Sequence, residues 1–256
     1  MKSCKSWVSP WRKLPVNNLR EAHRRLVAAC SERSWREDPE DPNKPETIQA
    51  MQIALNLPKQ DTPTRTEVLE AAARGVVKLC LDDRAGQDGA FAEALGQWYG
   101  HRIRKVARRA RNKAWRDVQA LPGVTVNDRA RVFVPSAVQD VHPLVAKLQI
   151  GHTDLPQDEP GPALADDPVI YIDSSLAMSA GKAAAQVGHG SMLLAAAMSF
   201  KEVEDWAAQD FSLSVRELGT ADFAAACARP GAVVVHDAGF TEVAPDSATV
   251  CALRRP

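Results

Sequence analysis

Three polar side chains, Lys182, Gln186 and His189, stand at i, i+4 and i+7 of the Ala- and Gly-rich stretch L-A-M-S-A-G-K-A-A-A-Q-V-G-H-G-S, residues 176–191. On a helix that spacing puts all three on one face, while Ala183, Ala184 and Val187 pack elsewhere. A lysine in the first turn opposes the helix dipole, which calls for a carboxylate or an anionic ligand beside it. A second candidate cluster follows the apolar run Ala232–His236: Asp237, Gly239 and Thr241 within D-A-G-F-T-E-V-A-P, residues 237–245. A carboxylate at the C-terminal end of a strand, followed by a Gly turn, is where α/β folds commonly present site residues. Lysine, carboxylate and hydroxyl together suit hydrolysis of an ester. They can position a water, deal with its proton and put positive charge where a carbonyl becomes an oxyanion. A serine nucleophile is disfavoured because the chain has no G-x-S-x-G elbow. Taken singly, each residue has a plainer reading: a snorkelling lysine, a boundary histidine, an Asp bonded to its own turn.

The elements that must hold these residues alternate. Residues 169–173 read as a strand, 180–200 as a helix capped by Ser179, 203–209 as a short helix and 211–216 as a strand. A helix over 221–228 capped by Thr220 and strands over 232–236 and 248–253 complete a small α/β layer domain with a mixed sheet. Before it, residues 51–57 alternate as a strand, 66–81 read as a helix and 91–121 as a second one. Short extended pieces are expected at 124–126, 132–134 and 144–150, the first two joined by an Asn127-Asp128 turn. The segment rich in Asp, Gly and Pro before residue 168 reads as a linker, as does the Pro/acid run 37–45 that follows a basic helix over 19–35. The domain plan is therefore 1–45, 46–152, a linker over 153–167, and 168–256.

The formal charge of zero hides two opposed halves: residues 1–150 hold 26 Lys and Arg against 17 Asp and Glu, and residues 151–256 hold 6 against 15. A basic half can hold a polyanion that an acidic half would repel. From His101 to Arg116 the chain carries eight Lys or Arg and no acid. With Ile103, Val106, Ala107, Ala110, Ala114 and Val118 as an apolar stripe, this stretch is expected to be an amphipathic helix. Arg102, Arg104, Lys105, Arg108, Arg109, Arg111 and Lys113 would then face nucleic-acid phosphates. Arg20, Arg24, Arg25, Arg33 and Arg36 form a smaller basic set, with a solvated helix face as the plainer explanation. No run reaches the length of a membrane span, and no signal peptide is evident. Five scattered cysteines without a C-x-x-C point to a reducing cytoplasm and to no structural metal or disulfide framework.

The halves can be laid over each other. Residues 51–57 and the following helix align on 169–175 and its helix; Val132–Val134 then follows the order of Val233–Val235, and Pro143 with Val145–Leu148 that of Pro245 with Thr249–Leu253. On this alignment Thr64, Ala71 and Pro135 stand where the second half has Lys182, His189 and Asp237, so the first copy lacks the chemistry.

G-K-A-A-A-Q-V-G-H at 181–189, D-A-G-F-T-E-V-A-P at 237–245 and T-V-C-A-L at 249–253 resemble the type-two peptidyl-tRNA hydrolases over about ninety residues, 168–256. The resemblance implies a three-layer α/β domain with a mixed four-stranded sheet and helices on both faces. It also implies a usual homodimer, no cofactor and no known metal requirement, and hydrolysis of the ester between peptide and tRNA. Lys182, Gln186, His189, Asp237, Thr241 and Thr249 match its characteristic positions. Catalysis would fall to Lys182, Asp237, Thr241 and His189, with Gln186, Gly181, Thr249 and Gly239 shaping the substrate site. The Ala177–Gly181 approach to the lysine, Gly190 after the histidine and Asp246 after Pro245 depart from the family pattern. A degenerate first copy would replace the dimer partner within one chain. Two rivals stay open: an RNA-binding, translation-associated protein without turnover, and a hydrolase of another acyl ester.

Overall fold

In the computed structural model, residues 16–31, 40–41, 43–239 and 241–255 are described. The expected basic residues Arg33 and Arg36, and part of the Pro/acid run, lie outside them. The chain runs α1 (Val16–Ser31), β1 (Gln49–Asn56), α2 (Arg65–Cys80), α3 (Ala90–Tyr99), β2 (Lys105–Ala110), α4 (Asn112–Val118), β3 (Gly123–Val126), β4 (Ala130–Phe133), β5 (Ser136–Ala137) and α5 (Pro143–Ala146). The second half adds β6 (Val169–Asp173), α6 (Ala180–Ala197), α7 (Phe200–Ala208), β7 (Ser214–Leu218), α8 (Thr220–Cys227), β8 (Val233–Asp237) and β9 (Ser247–Leu253).

Period-two alternation sorts each strand between two faces. Ile170 and Ile172 of β6, with Val250 and Ala252 of β9, join a core shared with the first half, while Val169, Cys251 and Leu253 face α8. In the first half Ile53 and Leu55 enter the shared core, and Ala54 turns with Ala110 and Phe133 toward Trp115 and Val118 of α4. Each sheet therefore has helices on both faces, and α2 and α6 lie against one another between the two sheets. The sheets share one topology. β6 pairs parallel with β7 and antiparallel with β9, which pairs antiparallel with β8. In the same way β1 pairs parallel with β2 and antiparallel with β4, which pairs antiparallel with β3. The first sheet has one extra short strand, β5, on β1.

This topology corrects the expected alignment. The basic stretch is not one helix: α3 stops at Gly100, and residues 105–110 form an edge strand parallel to β1. A local apolar stripe cannot see the hydrogen bonds that β1 offers, and those bonds decide the outcome. Residues 143–146 form a helical turn where a strand was expected, with a single bridge at Gln149. Val132 belongs to β4, the counterpart of β9 rather than of β8. The N-cap of α8 is Gly219, not Thr220. Nor is α1 peripheral: Leu19, Ala22 and Leu26 are buried, and His23 bonds the Ala195 carbonyl of α6 at 3.0 Å. Its cations are engaged too, Arg24 and Arg25 by Glu21 and Arg20 over the Phe200 ring.

Superposing the two helix N-caps, Thr64 of α2 and Ser179 of α6, equates Gly75 with Gly190. Each sits over the valine of its own sheet, Val132 or Val250. The same superposition equates Gly188 with Ala73 and Ser191 with Val76, and these are the residues that touch across the helix pair. A Cβ on Gly188 would lie 2.7 Å from Val76 Cγ2, and Ser191 Oγ donates to Ala73 O at 2.8 Å. The contact is reciprocal, as at an isologous dimer interface. Gly188→Val is expected to lower stability by about 2 kcal/mol through overpacking against Val76, whereas Gly96→Ala on α3, where the added carbon meets nothing, should gain roughly 0.5 kcal/mol. Urea midpoints of the two variants check both signs.

Candidate active site

The N-terminus of α6 is built by its own cap and by two other segments. Ser179 Oγ accepts from the Lys182 amide at 3.2 Å, and Glu242 accepts from both the amide and the hydroxyl of Ser179 at 2.7 Å. Thr153, from the segment between the halves, accepts from the Gly181 amide at 2.9 Å; a side chain on Gly181 would strike its hydroxyl. The first-turn amides of Gly181 and Lys182 are thus already occupied by protein acceptors.

The side chains point into a cleft. Lys182 Nζ donates to Asp237 Oδ2 at 2.5 Å and to Thr241 Oγ1 at 2.9 Å. Gln186 Nε2 donates to the same Oδ2 at 2.6 Å, and Thr249 Oγ1 donates to Gln186 Oε1 at 2.8 Å, fixing which way the amide faces. Asp237 Oδ1 accepts from the Gly239 amide at 2.8 Å. Gly239 needs to be glycine twice over: its φ is +78°, and a Cβ would lie 2.5 Å from the Pro245 nitrogen. Burial pulls the Asp237 carboxyl up, but Lys182, the Gly239 amide and Gln186 outweigh it and hold the carboxyl below its ordinary range.

His189 lies farther along the same face and makes no hydrogen bond to Asp237. Burial, aided by the charge of Lys105, pushes its imidazole well below the ordinary value. It lines the cleft, a space of about 910 Å³ whose other wall is β2 and the residues before it, including Arg102, Arg104 and Lys105. The expected phosphate-facing cations are dispersed. Arg104 is ion-paired with Glu40, Arg108 donates to Gln52 Oε1 at 2.7 Å and to Leu148 O, and Arg109 bonds Gln149 and the His152 carbonyl. Lys113 pairs with Asp117 on the exposed side of α4, and Arg111 precedes that helix. No helix among the described residues is long and apolar enough to cross a membrane.

In the equivalent position of the first half, Glu67 replaces Lys182, Ala71 replaces Gln186 and Arg74 replaces His189 on the N-cap superposition. The β3–β4 connection is the tight turn Asn127-Asp128, both at positive φ, where the second half has the loop 238–246. The first half thus lacks this polar set, though by a different residue correspondence from that expected. Thr153 lies in no motif, and Glu242, although within D-A-G-F-T-E-V-A-P, is not singled out there, because a cap contributed by a distant segment shows no local spacing.

Residues 168–255 match the family model described as Peptidyl-tRNA hydrolase PTH2. The match takes in Lys182, Gln186, His189, Asp237, Thr241 and Thr249; the cleft wall formed by β2 lies outside it. No curated protein and no solved structure matches the chain.

Removing the lysine should let burial dominate at the carboxylate. In Lys182→Met the Asp237 pKa is expected to rise, so that the carboxylate is lost at a higher pH on acidification than in the parent; a ¹³C-carboxyl titration by NMR reads the shift. An unmoved or lower pKa would contradict the assignment of Lys182 as its main partner.

Proposed function

We propose that the protein hydrolyses the ester joining a peptide, or an N-blocked aminoacyl group, to tRNA in the cytoplasm, releasing free tRNA and peptide. The observation that carries this reading is the Lys182–Asp237–Thr241 cluster opening on a large cleft within the segment that matches the hydrolase family. An ammonium has three N–H donors; Asp237 and Thr241 take two, which leaves one for the carbonyl oxygen as it becomes an oxyanion. Thr241 accepts from Lys182 through its oxygen and keeps its own O–H to orient the ester or the attacking water. Asp237 already accepts from three donors and is a weak base, with one acceptor site on Oδ1 left for a water. Its part is to hold Lys182 and orient the water, whose proton passes to the departing ribose oxygen as the acyl–oxygen bond breaks. Gln186 and Thr249 position the carboxylate from behind. His189 sits too far along the helix to serve the same hydrogen bonds and faces another part of the substrate. The tRNA backbone would lie along the cleft wall at Arg102 and Arg104 and over the outer cations Arg111 and Lys113.

Purified protein is expected to release peptide from N-blocked aminoacyl-tRNA, and Lys182→Ala or Asp237→Ala to lower kcat/KM at least about 100-fold. Substrate binding should weaken steeply with salt, and Arg111→Ser with Lys113→Ser should reduce the salt slope by about one for each phosphate no longer neutralised. Binding of tRNA without release of peptide would replace this reading with an RNA-binding protein; turnover of simple acyl esters without tRNA retention would replace it with a different esterase.

A further inference from the structure

Two buried polar groups in the cleft are unused by this chemistry. Lys105 Nζ and Tyr99 Oη are both shut off from solvent, and neither has a well-formed hydrogen bond among the described residues. The Cys80 thiol beside Tyr99 is a weak partner at best. Both residues line the cleft that holds Lys182 and Asp237. The Lys105 ammonium stands 5.1 Å from the centre of the Trp98 ring, and Trp98 is itself fully buried. Among the described residues, the titratable groups that act on Lys105, Tyr99 and His189 at this end of the cleft are one another, Cys30 and Cys80, and none is a carboxylate. Burial pushes the Cys30 and Cys80 thiols up to about 12 and about 11, so neither supplies a counter-charge at neutral pH. The Lys105 stem packs against α6 at Gly188, where an added Cβ would lie 3.5 Å from Lys105 Cδ.

An ammonium and a phenol gathered around the same two thiols, without a strong acceptor, are costly to bury unless something else fills the place. We propose that the Lys105–Tyr99 end of the cleft is a recognition subsite for a phosphodiester of the RNA part of the substrate. The proposal rests on the hydrolase reading above and adds to it two residues from outside the family-matched segment. A phosphodiester oxyanion accepts from both donors at once and supplies the missing charge. The basic balance of the first half, 26 Lys and Arg against 17 Asp and Glu over residues 1–150, favours an RNA phosphate over a carboxylate of the peptide. The subsite lies near His189, seven residues and so roughly 10 Å along α6 from Lys182, where it meets a part of the substrate distinct from the ester.

Full-length Lys105→Met and Tyr99→Phe separate recognition from folding. A merely structural lysine without a partner is a burden, so Lys105→Met should raise Tm at pH 6. Burial brings the Lys105 pKa down to about 7, below its unfolded value. The burden is therefore complete below pH 7 and fades as pH rises toward 10, and the gain should fade with it. Against that gain, KM for N-blocked aminoacyl-tRNA should rise about tenfold in both variants, the loss falling mainly on KM rather than kcat. Independently of turnover, the Lys105 signal of ¹³Cε-lysine-labelled protein should titrate to a higher pH when an oligoribonucleotide with the tRNA acceptor-end sequence is added. Neutral methylphosphonate linkages in that oligonucleotide should abolish the shift. An unshifted Lys105 signal, an unchanged KM, or a shift produced by a blocked acidic dipeptide but not by the oligonucleotide would overturn the proposal. A phosphate-dependent shift in a protein that releases no peptide would instead retain the subsite and overturn the hydrolase reading.

Discussion

The structure depends on the close approach of α2 and α6. Glycine and small residues at the crossing let the helices touch nearly backbone to backbone, and the two sheets then close on opposite sides of the pair. Each half by itself would leave this helix face bare. The shared core is what joins two small sheets, each with its own outer helices, into one packed body.

The reciprocal contact has two sides that differ in use. Between α2 and β7 the groove is filled: Arg65 pairs with Glu217 at 2.9 Å, Glu70 accepts from the Val215 amide and from Arg216, and Arg74 and Lys78 hold Asp210. Between α6 and β2, the positions equivalent to Glu70, Arg74 and Lys78 are Ala185, His189 and Leu193, which line the cleft. Smaller or neutral side chains leave open on one side what ion pairs seal on the other. The first half thus supplies a wall without repeating the polar cluster, and α1 and residues 153–158 brace both halves: His23 reaches Ala195, Thr153 reaches Gly181 and Asp158 reaches Thr66.

At the cluster itself, one carboxylate collects lysine, amide and backbone donors, and each donor is oriented by something behind it. Thr249 turns the Gln186 amide, Ser179 and Glu242 anchor the start of α6, and Gly239 admits the sharp turn that returns an N–H to Asp237. A carboxylate held ionised in this way is a fixed negative charge that places a lysine.

Much of this was determined by the sequence alone. Period-two runs at 169–173 and 248–253 and the Ser179 cap place β6, β9 and the start of α6 within a residue, because strand alternation and capping are local, whereas α7 and β7 each begin three residues away from the expected start. The spacing of Lys182 and Gln186 and the D-A-G-F-T motif identify the cluster, because its members sit at the ends of those elements. Tertiary structure decided the rest. Whether residues 105–110 become helix or strand depends on a free edge of β1, about fifty residues away in the chain. With that choice the cations at 102–109 change from an outward helical face into an edge strand, partly tied to protein acceptors and partly facing the cleft. The capping roles of Thr153 and Glu242, and the placing of Lys105 beside His189 of α6, arise where segments distant in the chain are packed together, and no spacing within either segment encodes such a meeting.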